Sequence, residues 1–280
     1  PLSCLSAMIS AIAYRGPDDQ RFWTDGSVGL GLAHARLSIL DLSPTGRQPM
    51  ESQSSRYVLV FNGEIYNHHA LRNELITLGV RKWIGHSDTE TLLAAIEQWG
   101  LNAALKRATG MFAFVMWDKK EQKLFLVRDR MGEKPLYYGW VDDVFVFASE
   151  LKAIQKLNPN ISISKEGLNM FIAQNNIPAP LTIYKNFFKV CPAQLIVFKE
   201  YQQISSSDYW KPTKPNNDFD SRSYQSSSDN FEKIFLESVN EQMISDVSLG
   251  AFLSGGLDSS AVVAAMTELS DQKVETHSIG

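Results

Sequence analysis

Apolar and polar positions along the first two thirds of the chain follow two periods. Runs rich in β-branched and aromatic residues occur at Tyr57–Phe61, Met111–Trp117, Lys123–Arg128, Tyr137–Trp140 and Val144–Ala148. Asp118-Lys119-Lys120-Glu121 joins the second run to the third, and Asp142-Asp143 joins the last two. This spacing predicts antiparallel hairpins. Two segments carry the helical period instead. Asn67 stands where it can cap a helix through Leu71, Leu75 and Leu78 to Gly79. Ser87-Asp88-Thr89-Glu90 has the form of a capping box: the Ser87 hydroxyl accepts the N3 amide and Glu90 reaches back to the Ser87 N–H. Leu92, Leu93, Ile96 and Trp99 form the apolar face that follows, and Gly100 ends it. Asp88 then falls in the first turn, where the helix dipole favours a carboxylate. Many strands with two packed helices predict a layered α+β domain.

Ser, Asn, Asp, Lys and Pro dominate residues 205–229, which predicts a linker between a first domain, 1–204, and a second that starts at 230. A helix over 230–243 is followed by an apolar run Val247–Leu253, the loop Ser254-Gly255-Gly256, a helix Asp258–Leu269 and a second run Val274–Ile279. That order is the opening βαβ unit of a parallel α/β domain.

A chain of 280 residues with 44% hydrophobic and 21% charged residues is globular in composition. Its net charge of -4 gives no basic field for nucleic acid or acidic lipid. The cysteines, Cys4 and Cys191, are too few for a disulfide scaffold and fit a reducing, cytoplasmic setting. No apolar run is long enough to span a bilayer, and no Cys/His metal cluster is evident.

Ser254-Gly255-Gly256-Leu257-Asp258-Ser259-Ser260 follows a strand and opens a helix. Glycines there admit positive φ and a close ligand, and their N–H groups with the helix start form an anion site. No Gly-Lys-Ser/Thr follows, so this is not a Walker A loop, and Gly-x-Gly-x-x-Gly is absent. An unliganded strand–helix turn is the plain alternative. With Ser245 to Leu253 before it, the segment resembles the start of the synthetase domain of the asparagine synthetase family, an α/β parallel-sheet PP-loop ATP pyrophosphatase. The resemblance implies that Ser254, Gly255, Gly256, Ser259 and Ser260 hold pyrophosphate. It further implies that Asp258 helps hold Mg²⁺ with ATP and that the backbones of Leu253 and Ile279 frame the adenosine.

Four further segments occur in order: Tyr14-Arg15-Gly16-Pro17-Asp18, Ala33 to Asp41, Phe61 to Asn67, and Ser87 to Glu90. Together with Arg128 to Tyr138 and Ala148 to Lys152 they resemble the glutaminase domain of the same family. That domain is an N-terminal-nucleophile hydrolase, a layered α+β sandwich of the type-2 glutamine amidotransferases. Glutamine offers a carboxylate for a guanidinium, an ammonium for a carboxylate, and an amide whose tetrahedral intermediate needs donors at its oxyanion. By the resemblance Arg36 grips the carboxylate and Asp88 and Glu64 meet the ammonium. Leu37, Ser38, Ile39 and Leu40 line the glutamine site, and Asn62 Nδ2–H with Gly63 N–H forms the oxyanion hole. Taken alone, Asn62-Gly63 reads as a hairpin turn, Arg36 as a surface ion pair, and His34 as a satisfied structural histidine. His68-His69 reads as a solvated helix start, and Arg15 and Asp18 as loop-shaping residues.

The family's nucleophile is a cysteine at the first mature position, its amine serving as base. Residue 1 here is Pro, and Cys4 reads as a helix-face residue with Ala7, Met8 and Ile12 nearby. Cys191 reads as a small buried hydrophobe. The nucleophile is therefore expected upstream of Pro1, and the remainder of the synthetase domain beyond Gly280. The resemblance implies glutamine-dependent asparagine synthesis with ATP, Mg²⁺, glutamine and aspartate, and it is compatible with a homodimer. Two alternatives stay open. One is a related amidotransferase acting on another carboxylate such as a sugar acid, and the other is an inactive module that binds glutamine or nucleotide.

Overall fold

The computed structural model of the chain describes residues 2–200, 202–213 and 224–279. It comprises two compact units, Pro1–Lys211 and Pro212–Gly280. In the first, α1 (Leu2–Ala11) precedes a hairpin of β1 (Asp19–Asp25) and β2 (Leu30–Arg36). The short β3 (Met50–Glu51) and long β4 (Tyr57–Ile65) lead to α2 (His68–Thr77), α3 (Asp88–Trp99) and α4 (Leu101–Arg107). Next come β5 (Gly110–Asp118), β6 (Lys123–Arg128), β7 (Tyr137–Val141), β8 (Val144–Ala148), α5 (Leu151–Gln155) and α6 (Lys165–Gln174). The unit closes with β9 (Phe187–Lys189), β10 (Gln194–Lys199) and β11 (Gln202–Asp208).

The main sheet is antiparallel, in the order β11-β10-β6-β5-β4-β3. β4 and β5 are buried on both faces over most of their length, which is why they read as unbroken apolar runs. Leu59 and Phe61 of β4 and Phe112, Phe114 and Met116 of β5 pack against Leu71, Leu75, Leu92, Ile96 and Leu105 of the three helices. Val58, Val60, Ala113, Val115 and Trp117, with Phe198 of β10, point the other way, toward Leu32 of β2 and a second β layer flanked by Leu136 and Val190. That second β layer consists of the β1–β2 hairpin and a sheet ordered β8-β7-β9. Val146, Ala148 and Phe187 from it pack with Ala153 and Ile154 of α5, with Met8 of α1 and with Ile12 just after it. The layers therefore run helix, sheet, sheet, helix. Each fully buried Leu, Ile or Phe contributes roughly 1.5–3 kcal/mol.

Several local expectations are modified. Asn67 sits at the N-cap position of α2 but makes no capping bond. Its amide instead donates to the Arg107 carbonyl at 2.9 Å and accepts the Thr109 N–H at 2.9 Å, joining α2 to the start of β5. Half of the predicted capping box forms: Ser87 Oγ accepts the Glu90 N–H at 3.2 Å. The Glu90 carboxylate accepts N–H groups from Ile84 and Gly85, at 2.7 and 3.1 Å, and pairs with Arg72 at 2.8 Å. Polar residues from 205 onward do not begin a linker, because Ser205–Asp208 lie in β11, the exposed edge strand on β10. Residues 224–229 belong to the next helix, and 214–223 lie outside the described residues.

The second unit comprises α7 (Tyr224–Glu241), β12 (Gly250–Phe252), α8 (Leu257–Leu269) and β13 (Glu275–His277). β12 and β13 are parallel, so the predicted βαβ order is present. Both strands are shorter than the apolar runs 247–253 and 274–279, since each pairs only with the other among the described residues and a two-stranded sheet supports little length. Val239, Ala265 and Met266 form its small core. Among the described residues no helix is long and apolar enough to cross a membrane.

Candidate active site

Strand period two decides what β4 presents. Val58 and Val60 face the second β layer, so Asn62 and Glu64 share that face. There the unit opens into a cleft of about 1380 Å³. Its walls include α1, β2, β4, β5, β8 and the first residues of α3. Arg36, Leu37, Ile39, Leu40, Asn62, Gly63, Glu64 and Asp88 line it together. Residues far apart in sequence thus converge on one space.

Asn62-Gly63 is not a hairpin turn. Both residues lie inside β4, opposite Ala113 and Phe112. Gly63 has φ +150°, and a Cβ there would strike the carbonyl oxygen of Met111. The glycine is thus required by close strand approach and not by a turn. The Asn62 Nδ2 is buried and has no hydrogen-bond partner among the described residues, so a donor stands unused at the cleft.

Asp88 opens α3 and is buried, with Oδ2 accepting the Ile65 N–H at 2.9 Å and Oδ1 the Thr89 N–H at 2.7 Å. Burial pushes its pKa up to about 6 despite these bonds. Desolvation thus outweighs the hydrogen bonds that favour the anion. Glu64 is also pushed up by burial, with Lys134 opposing the shift. Two carboxylates at one cleft, both desolvated, favour a cationic visitor.

Arg36 ends β2 and is buried. Its guanidinium donates to the carbonyls of Ser43, at 3.1 Å, and Asp41. It is therefore no surface ion pair: it braces the 41–46 turn while lining the cleft. Ser38 is not among the lining residues; its N–H goes to Asp18 Oδ2 at 2.7 Å. That bond gives Asp18 its role in shaping the loop. Arg15 pairs with Glu150 at 2.9 Å, and the Tyr14 hydroxyl joins the same carboxylate.

His68, expected to be solvated, is buried, and its Nδ1 lies 2.9 Å from the Ile65 carbonyl. Cys4 is exposed on α1 at the cleft wall. Cys191 is half-buried, and burial raises its thiol pKa. Two further polar residues matter: Gln48, whose Oε1 accepts the Phe61 N–H at 2.6 Å, and Asp129, fully buried beneath the turn after β6. Gln48 carries no sequence signal of its own, since its partner lies 13 residues away, whereas Asp129 gathers the N–H groups of the turn that follows it and reaches back to Phe112.

In the second unit Gly255 adopts φ +81°. Ser254 and Ser259 Oγ lie 3.0 Å apart, and Ser259 Oγ also receives the Ser254 N–H at 3.3 Å. Asp258 is in the first turn of α8 and Ser260 in the turn after it; both are exposed. The Leu253 N–H binds the His277 carbonyl at 2.9 Å, and Ile279 is exposed beyond β13. The loop, the helix start and the end of β13 thus face open space. Among the described residues no group of three or more His, Cys, Asp or Glu could hold a metal.

A buried amide donor beside two desolvated carboxylates, in a cleft between stacked antiparallel sheets, suits the handling of an amide-bearing amino acid. Residues 2–210 match the family model of the glutamine amidotransferase domain, and the chain belongs to that family. Residues 230–280 match the model named asparagine synthase. The chain is 37% identical over 281 residues to asparagine synthetase (glutamine-hydrolyzing) 1 of Bacillus subtilis, covering 99% of this chain and 42% of that protein. It is 31% identical to amidase chry2 of Gibberella zeae, covering 96% of this chain and 39% of that protein. It spans about half the length, or less, of the curated relatives it matches. Among solved structures, the B. subtilis glutamine phosphoribosylpyrophosphate amidotransferase complexed with ADP and GMP superposes with TM-score 0.55. That match has 16% identity and covers 97% of this chain and 61% of that one. The layered N-terminal-nucleophile fold expected for the first domain is borne out, as is the start of a synthetase domain after it.

Proposed function

We propose that the chain is the glutamine-hydrolysing part, with the first elements of the synthetase part, of an enzyme that makes asparagine from aspartate. The observation that supports this most is the convergence of Arg36, Asn62, Gly63, Glu64 and Asp88 on one cleft. In this reading Arg36 binds the glutamine carboxylate through N–H groups not engaged by the 41–46 turn. Asp88 and Glu64 receive the ammonium, whose charge offsets their desolvation. A cysteine thiolate attacks the side-chain amide carbon while Asn62 Nδ2–H and Gly63 N–H stabilise the oxyanion. Ammonia leaves, and water hydrolyses the thioester to glutamate. Neither Cys4, exposed on a helix, nor Cys191, with its raised thiol pKa, suits that role. Neither cysteine is therefore assigned as the nucleophile.

At the second unit, ATP adenylates the aspartate carboxylate with loss of pyrophosphate, and ammonia then displaces AMP to form the amide. Ser254, Gly255, Gly256, Ser259 and Ser260 would hold the pyrophosphate oxygens, and the backbones of Leu253 and Ile279 the adenosine. A single carboxylate with hydroxyls suits a Mg²⁺ shared with ATP phosphates better than a closed protein cage, which assigns Asp258 to it. The ion would neutralise the charge that develops on the leaving pyrophosphate. A homodimer and a cytoplasmic setting accompany this reading. A relative at 31% identity is named an amidase and not an asparagine synthetase, so the second reading is a related amidotransferase acting on another carboxylate.

The test uses the complete gene product. Glutamine, ATP and aspartate should give glutamate, AMP and asparagine together, and Arg36→Ala should abolish glutamine-driven but not ammonia-driven synthesis. Glutamine hydrolysis without AMP formation from aspartate would transfer the assignment to another acid. Absence of both activities would leave the inactive binding module.

A further inference from the structure

Phe61 immediately precedes the proposed oxyanion pair, and the register of β4 decides where its backbone points. Tyr66 N–H bonds to the Thr109 carbonyl at 2.8 Å, and Lys119 N–H to the Arg56 carbonyl at 2.9 Å. The hydrogen-bonded positions facing β5 are therefore the even residues of β4. Phe61, opposite Phe114, turns its N–H and C=O to the other edge. β3 pairs there with Val58 and Leu59, so among the described residues no strand reaches Phe61 on that edge. Two side chains fill the gap. Gln48 Oε1 accepts the N–H at 2.6 Å, and His34 Nε2 lies 3.1 Å from the carbonyl oxygen.

A carbonyl only accepts, so His34 Nε2 carries the proton of this bond. Burial drives the imidazole pKa down to about 4, with Arg36 adding to the effect. The ring is thus neutral near pH 7, and Nδ1 is a bare lone pair. Among the described residues that buried Nδ1 has no hydrogen-bond partner, so the contact with Phe61 is the one polar tie of the ring there.

We infer that His34 is a positioning residue for the Asn62–Gly63 pair. As the Nε2–H tautomer it clamps the Phe61 carbonyl from β2 and so fixes the peptide from which Asn62 reaches into the cleft. The carbonyl of Phe61 and the N–H of Asn62 belong to one planar peptide, so a clamp on the first sets the orientation of the second. Small displacements of an oxyanion donor cost rate steeply. The inference rests on the glutamine-site reading above.

The experiment compares His34→Phe, His34→Gln, Asn62→Ala and the His34→Phe/Asn62→Ala double variant in the complete gene product. His34→Phe keeps ring volume and loses the donor, whereas His34→Gln retains an amide N–H. For His34→Phe, kcat for glutamine hydrolysis should fall on the order of 10- to 100-fold. KM should stay within about twofold, ammonia-driven synthesis should be unchanged, and His34→Gln should recover much of the loss. If His34 acts through Asn62, the double variant should be no slower than Asn62→Ala alone. Multiplying effects, a change in KM alone, or equal loss of the ammonia reaction would overturn the inference. If His34→Phe does not fold, nitrogen-15 spectra of the five histidines in the unmodified chain decide. An Nε2–H tautomer that does not titrate between about pH 5.5 and 8 supports the clamp, and an Nδ1–H tautomer refutes it. Normal glutamine hydrolysis by Asn62→Ala would overturn the glutamine-site reading itself. An inactive Asn62→Ala beside a normal His34→Phe would overturn only the role of His34.

Discussion

The Asp88 carboxylate takes the backbone N–H of Ile65 at 2.9 Å, fastening the first residue of α3 to the last residue of β4. A charged group therefore serves as a structural tie while lining the cleft, and its titration touches both roles.

Burial raises the folded-state pKa of Asp88 to about 6, above the ordinary carboxylate value. Between roughly pH 4 and 6 the folded state then holds more protons than the unfolded one, and stability from this group falls as pH rises. Asp88→Asn has no such titration. The stability of the unmodified chain minus that of the variant should drop by on the order of 2–3 kcal/mol from about pH 4 to 7. Urea unfolding at both pH values measures it. A glutamine ammonium prefers the ionised form, so glutamine affinity of the complete enzyme should rise as pH increases through about 6.

Gly63→Ala places a Cβ against the Met111 carbonyl and the Phe112 backbone at φ +150°. Strain and overpacking together should cost about 2–4 kcal/mol. Denaturant unfolding checks the figure, and a loss below about 0.5 kcal/mol would mean that the two strands separate easily.

Asp129 accepts N–H groups from Phe112, Met131, Glu133 and Lys134, at 3.2, 3.1, 2.9 and 2.9 Å. Asp129→Ala would leave these donors unpaired and should cost about 4 kcal/mol or more. A thermal melt should show the first unit unfolding well below its unmodified temperature.

Gly255 has φ +81° with open space where a Cβ would be, so Gly255→Val acts on backbone conformation alone. In the complete enzyme, AMP formation should fall at least about tenfold while glutamine hydrolysis stays unchanged. Normal ATP-dependent turnover would remove the loop from the phosphate site.

Elements whose signal lies in neighbouring residues were legible in the chain. The run at Tyr57–Phe61 gave β4, and the Ser87 cap with its apolar face gave α3. The order of motifs also identified Arg36, Asn62 and Asp88 as companions, which the cleft brings together. Readings based on one residue and its neighbours fared less well. Asn62-Gly63 alone suggests a turn, because only the distant partner Met111 reveals why a glycine is needed. Asn67 looked like a cap until Arg107 and Thr109 offered it better partners. Gln48 and His34 act by satisfying backbone groups of Phe61 that a fold leaves unpaired, and such gaps exist only once the strands are in register.

Gly63 and Gly110 stand on facing strands, and a Cβ on either would strike backbone of the other strand, at Met111 and Glu64 respectively. The pairing of β4 with β5 is thus keyed at both places, like two teeth of a lock. Slippage by one residue would bring bulky side chains into both contacts and turn Asn62 away from the cleft. The helical excursion from 66 to 109 lies outside the keyed ladder but is held by its own ties, since Asp88 bonds Ile65 and lines the cleft and Leu71, Leu92 and Leu105 pack in the core. Within the ladder, a single inserted or deleted codon would erase the fold and the chemistry in one event.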